Sequence, residues 1–218
     1  MTSHGIIDNL SIQLTFKTRK KLCIGAGGVP LKTIADINFL RLDNNTLIIP
    51  ASTIKGVLRT CMIKIAPLLG YTVYPYVHPD KIVDDNVTRL MGKPDEMGRV
   101  RVYSAILDHM STLTLSHVKI NDKKRIAEEG GLFSVEYIPM DVTFNSKIEA
   151  YKINNDDARL LLAAIMEMNH TRIGKGGLLS ISLSKIEPSK NEIIKILNND
   201  KIITAILDNL IGDSHENI

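Results

Sequence analysis

The sequence predicts an α+β protein built on a ferredoxin-like, RRM-like βαββαβ core. Three observations predict it. Segments such as Leu10–Phe16 (LSIQLTF) and 142–150 alternate apolar and polar residues with period two, as half-buried strands do. Two other segments, after Pro50 and after Asn155, carry apolar residues at helical spacing. Their order along the chain is strand, helix, strand, strand, helix, strand.

The first strand is followed by the Gly-rich GAGG of residues 25–28, then by INFLRLDNNTLII, where 43–45 reads as a turn between two short strands. In the first helix Ile54, Leu58, Cys61, Met62 and Ile65 share a face, Ser52 or Thr53 is placed to cap its start, and Pro67 stops it. Residues 67–98 contain several prolines and read as an insertion. RVRVY at 99–103 alternates again, and the basic stretch HVKINDKKRIAEEGG of 117–131 is too polar for a core. Asp156 and Asp157 are expected to cap the second helix, whose apolar face carries Leu160, Leu161, Ala164, Ile165 and Met168. RIGKGG (172–177) leads into the last strand, LLSISLSKI. Residues 187–218 hold a capping box, Ser189 with Glu192, and Asp200 before IITAILDNLI, which predicts a C-terminal helical appendage. No linker composition divides the chain, so 1–218 reads as one elaborated domain.

Composition excludes several classes. At 44% hydrophobic and 23% charged, the 218 residues have an ordinary globular balance. No apolar run reaches the length of a membrane span, and MTSHGIIDNLSIQ has neither a basic nor a continuous apolar signal region; a cytoplasmic protein is expected. Cys23 and Cys61 stand far apart, which argues against a disulfide framework or a cysteine-rich zinc site. The net charge of +3 hides an asymmetry, because residues 187–218 carry −3 and the preceding ones +6. The cations gather near expected turns: Lys17 to Lys21, Lys119 to Arg125, and Arg172 with Lys175.

Two motifs suggest an anion partner. IIPASTIKGVLRT places Lys55 and Arg59 four residues apart on the first turns of a helix, where cations gain nothing from the helix dipole. With the hydroxyls of Ser52 and Thr53, and Gly56 allowing close approach, that helix start could receive a phosphate. RIGKGG could expose backbone N–H groups to an anion, although a helix-ending glycine turn explains it equally well. It lacks the spacing of a Walker motif.

PASTIKGVLRT resembles the PGSSLKGxLR signature of the RAMP superfamily, the ferredoxin-like RNA-binding proteins of CRISPR–Cas systems, and TRIGKGGLLSIS resembles its C-terminal glycine-rich loop. ADINFLRLDNNTLIIP is similar to DxPVxRDxxTGxPxIP, and RLMGKPDEMGRVRVYSAIL to LFGxxxxxGRxxFxDAxL. KINDKKRIAEEGGLFSVEYIPMDVTF is similar to xIDRxTxxA…LFxxExVPxGxxF. The matches follow in order through most of residues 10–186, and they resemble the repeated backbone subunit of type III (Csm- or Cmr-type) effector complexes.

The resemblance implies a subunit that lines up with further copies of itself or related RAMP subunits along a CRISPR guide RNA and offers the guide to target RNA. It implies guide contacts from Ser52, Thr53, Lys55, Gly56, Arg59, Arg172, Gly174, Lys175 and Gly176. A thumb-like segment at 117–133, with Lys123, Lys124 and Arg125, would interrupt the guide–target duplex. Asp36 aligns with the catalytic aspartate, which implies metal-dependent target-RNA cleavage with a divalent cation, Mg²⁺ being expected; the metal ligands themselves stay unassigned. Asp43 aligns with a second aspartate that closes a turn. Cys23 stands where the family often has His, and Ser104 where it has Asp. A subunit that binds guide without cutting, and a guide-processing endoribonuclease, are the alternatives.

Overall fold

The computed structural model describes residues 5–26, 35–43, 46–74, 84–108 and 110–211. The expected features at 27–28, Asn44, Asn45, 75–83 and 212–218 lie outside them.

Strand β1 (Ile7–Lys20) is followed by β2 (Thr46–Ile49), α1 (Ala51–Ile65) and a 3-10 turn at Ala66–Leu69. Next come α2 (Asn86–Met91), the small hairpin β3 (Gly92–Lys93) and β4 (Glu96–Met97), then β5 (Val100–Val102) and β6 (Ala105–Asp108). A long hairpin joins β7 (Leu113–Ile120) to β8 (Ala127–Tyr137). The chain continues through β9 (Thr143–Ile153), α3 (Asn155–Glu167), β10 (Arg172–Ile173), β11 (Gly177–Glu187), α4 (Lys190–Ile196) and α5 (Lys201–Ile211).

The main sheet has the order β10-β11-β1-β9-β5, with every pairing antiparallel. Strands β1, β5, β9 and β11 with helices α1 and α3 reproduce the expected order, which is compatible with the ferredoxin-like plan. Alternation decides which side is covered. Leu10, Ile12, Leu14 and Phe16 of β1 point into the core with Phe144, Ile148 and Ala150 of β9, while Gln13, Lys17 and Asn145 are exposed. Helices α1 and α3 pack on each other and close the core with Leu58, Met62, Leu161 and Ile165. The C-terminal helices form as expected. Asp200 accepts the Ile202 and Ile203 N–H groups at 2.9 and 3.1 Å, and the apolar stripe Ile203, Ile206, Leu207, Leu210 is buried where α5 meets α3 and β11.

Two expected caps are different in the structure. Neither Ser52 nor Thr53 caps α1: both lie inside the helix, whose N-cap is Pro50, with no side chain to offer. Ser104 supplies the missing acceptor, its Oγ taking the Ala51 N–H at 2.9 Å. In α3 the N-cap is Asn154, not Asp156 or Asp157. Asn154 Oδ1 accepts the Asp157 N–H at 3.0 Å, and the fully buried Asp157 carboxylate pairs with Arg89 at 2.5 Å and Arg99 at 3.4 Å. Asp157 still takes part in the cap, because its Oδ2 accepts the Asn154 N–H at 3.4 Å and completes a capping box.

Candidate nucleic-acid interface

Helical spacing puts Lys55 and Arg59 on one face of α1. Together with Lys93 beside the β3–β4 turn, Arg101 of β5 and Tyr151 of β9, they line an open cleft of 510 Å³. Arg59 is anchored there by donating to the Gly92 carbonyl at 2.6 Å. Both cations are half-buried. Burial pushes the Lys55 ammonium below its ordinary pKa and the neighbouring Arg59 pushes it further; burial also lowers Arg59, with Asp85 opposing. Lys93 is paired with Glu96 at 2.9 Å and Asp84 at 3.8 Å. Among the described residues, neither Lys55 nor Arg59 forms an ion pair. Two adjacent, partly desolvated cations repel, and an anion between them would relieve both. Ser52 is exposed and Thr53 half-buried on the same turns, and Gly56 is exposed with open space above it.

The glycine-rich loop is pinned to the chain that follows β1. Gly174 has φ +56°, and a Cβ there would lie 2.4 Å from the Cys23 carbonyl oxygen, so glycine is required by close chain approach. The Lys175 N–H donates to Cys23 O at 2.8 Å, and the Cys23 N–H returns to Lys175 O at 3.2 Å. That amide is committed to packing, which leaves the Lys175 side chain and exposed Arg172 and Gly176 as the outward groups. Cys23 itself is buried, and burial pushes its thiol up, away from acid–base use near neutrality. The Lys175 ammonium sits 4.8 Å from the Phe133 ring centroid, and Phe133 stacks on His117. The loop therefore touches the middle of the β7–β8 hairpin. Lys123, Lys124 and Arg125 occupy the exposed turn at its tip, where Asn121 Oδ1 accepts the Lys123 and Lys124 N–H groups at 3.1 and 3.0 Å.

Asp36 lies on the same hairpin. Its segment joins β8 through a parallel bridge of Ile37 with Val135: the Ile37 N–H donates to Ser134 O at 3.0 Å and the Glu136 N–H to Ile37 O at 2.8 Å. The Asp36 carboxylate is exposed, and its Oδ2 accepts from the Ser134 N–H at 2.6 Å and the Ser134 hydroxyl at 2.8 Å. The Ser134 amide and hydroxyl hold it below its ordinary pKa. Below it, buried Glu136 accepts from the forked guanidinium of Arg41, from Thr112 Oγ1 at 2.6 Å and from the Phe39 N–H at 2.9 Å. Asp43 closes its turn by accepting the Thr46 N–H at 2.9 Å. Among the described residues no three His, Cys, Asp or Glu side chains gather at metal-binding distance.

The predicted residues thus fall into an α1 cleft, and a hairpin that collects Asp36, the glycine loop and the basic tip. Helix α1 also packs on β10, which brings the cleft and the loop to neighbouring elements. Sequence reasoning missed Lys93, Arg101 and Tyr151 in the cleft and Ser134 beside Asp36. The alternation of RVRVY marks Arg101 as outward-facing; nothing local marks Ser134.

Compared with protein families, residues 15–181 match the RAMP superfamily. Compared with solved structures, the fold is similar to a chain of type III-B Cmr-beta in the apo state. The TM-score is 0.59 at 12% identity, covering 80% of this chain and 97% of the other. A chain of type III-B Cmr-beta bound to cognate target RNA gives a TM-score of 0.56 at 12% identity, covering 79% and 96%. No curated protein matches.

Proposed function

Since the chain belongs to the RAMP superfamily, we propose that it is a backbone subunit of a type III CRISPR effector, which holds guide RNA by its phosphates and cuts complementary target RNA at Asp36. The observation that carries the binding half is the Lys55–Arg59 pair, half-buried in a cleft with neither cation in an ion pair among the described residues. Phosphate contacts of this kind hold RNA in register without reading its sequence, as a guide carrier requires. The Cmr-beta chains of similar fold, one of them solved with cognate target RNA, support the same reading, with guide RNA, target RNA and further RAMP subunits as the partners.

Cutting needs charge neutralisation at the scissile phosphate, because RNA carries its own 2′-hydroxyl nucleophile. A carboxylate held below its ordinary pKa is a weak proton acceptor and a good fixed negative charge. Asp36 is therefore suited to hold a divalent cation, and a single carboxylate fits Mg²⁺, which keeps most of its waters. Bound there, the ion would supply Lewis-acid stabilisation of the developing phosphorane charge. Ser104, at the position where the family has Asp, is engaged in accepting the Ala51 N–H, and this favours a second reading, the same subunit as a guide-binding scaffold without chemistry.

Guide-RNA affinity of Lys55→Ala, followed across salt concentrations beside the exposed control Lys195→Ala, tests the binding half. Lys55→Ala weakens binding for all guide sequences and flattens the log–log salt slope by about 0.7, the value for one single-strand contact. Unchanged affinity and slope would place the RNA elsewhere.

A further inference from the structure

We propose that Ser134 is the positioning residue for Asp36, fixing that carboxylate from the strand that rises into the thumb-like hairpin. The inference rests on Asp36 being the group that serves target cleavage. Three hydrogen bonds close between the two residues. The Ser134 N–H and hydroxyl both donate to Asp36 Oδ2, at 2.6 and 2.8 Å, and the Asp36 N–H donates back to Ser134 Oγ at 3.0 Å.

An exposed loop aspartate ordinarily samples several rotamers. Here its backbone and its carboxylate are held by one partner. That partner is 98 residues away in sequence and belongs to a different element. The neighbouring contacts keep the two chains in register. The Ile37–Ser134 and Glu136–Ile37 backbone bonds flank the pair, and Glu136 grips the Phe39 N–H and Arg41 just beyond it. Ser134 itself is half-buried, and among the described residues both hydrogen bonds of its hydroxyl are with Asp36. Its neighbour Phe133 carries the Lys175 contact, and the same strand continues to the basic tip. A carboxylate mounted this way turns with the hairpin.

The test uses Ser134→Ala and Ser134→Thr in two measurements. The first is hydrogen exchange of the Asp36 amide by NMR in the RNA-free protein. The second is cleavage of complementary RNA by complexes assembled on guide RNA with Mg²⁺. In Ser134→Ala the Asp36 amide loses protection by at least about tenfold. Its kcat falls by about 10- to 100-fold with KM within twofold, the scale of a misplaced catalytic group. Ser134→Thr, which keeps the hydroxyl, restores both. Full kcat in Ser134→Ala, beside an inactive Asp36→Ala, overturns this inference alone. Failure of Ser134→Thr to restore kcat also overturns it. Cutting by Asp36→Ala at the wild-type rate overturns the nuclease reading and this inference with it.

Discussion

Gly56, next to Lys55 on α1, is the residue whose identity the fold explains least. It sits inside α1, where glycine costs about 1 kcal/mol relative to alanine, yet a Cβ added there would meet nothing within 4 Å. The fold does not need glycine at this position. Gly56→Ala is therefore expected to stabilise the free protein by about 1 kcal/mol in urea unfolding and to weaken guide binding, because a methyl group would stand between the helix and the RNA. Equal RNA affinity would remove Gly56 from the interface. Gly174 is the contrasting case, where chain packing accounts for the glycine without any ligand. RIGKGG taken as a string does not separate these roles, since the Cys23 carbonyl that demands Gly174 lies about 150 residues earlier.

Two elements depend on charges brought together from distant parts of the chain. Burial pushes the Glu136 carboxyl up, but Arg41, Thr112 and the Phe39 amide outweigh it and hold the group at about 2 instead of 4.5. A depressed carboxylate pKa adds stability above the unfolded value and loses it as pH falls towards the folded one. The network on β8 is thus worth about 3 kcal/mol above pH about 4.5, and this is lost between there and pH about 2. Glu136→Gln should show a flatter decline of unfolding free energy across that window; an identical decline would contradict the assignment. Asp157 ties α3 to Arg89 of α2 and to Arg99. Asp157→Ala should cost about 3 kcal/mol in chemical denaturation, towards the low end for a broken buried pair because both arginines reach solvent. A loss under 1 kcal/mol would show the pair to be dispensable. Sequence reading had Asp157 as a helix cap and nothing more, because its arginine partners lie 58 and 68 residues away. The strong period-two alternation of β1, β9 and β11 was legible locally. Ser134 opposite Asp36 was not, since the contact exists only once the segment at 35–41 has joined β8.

At the scale of the whole molecule, a sheet with one face covered by α1 and α3 carries the cleft at its β5 edge, and the β7–β8 hairpin collects Asp36, the glycine loop and the basic tip. Among the described residues no helix is long and apolar enough to cross a membrane. In the proposed reading, phosphate binding falls to α1 and strand cutting to the segment beside the hairpin, so each is expected to be removable without the other. The most direct test compares complexes assembled on guide RNA with wild-type protein or with Asp36→Ala, following cleavage of complementary RNA in Mg²⁺ and in chelator. Asp36→Ala is expected to capture target RNA still but to stop cutting, and chelator is expected to stop the wild type in the same way. Equal cutting by both complexes, or none by either in Mg²⁺, would contradict it and leave the protein a scaffold for guide RNA.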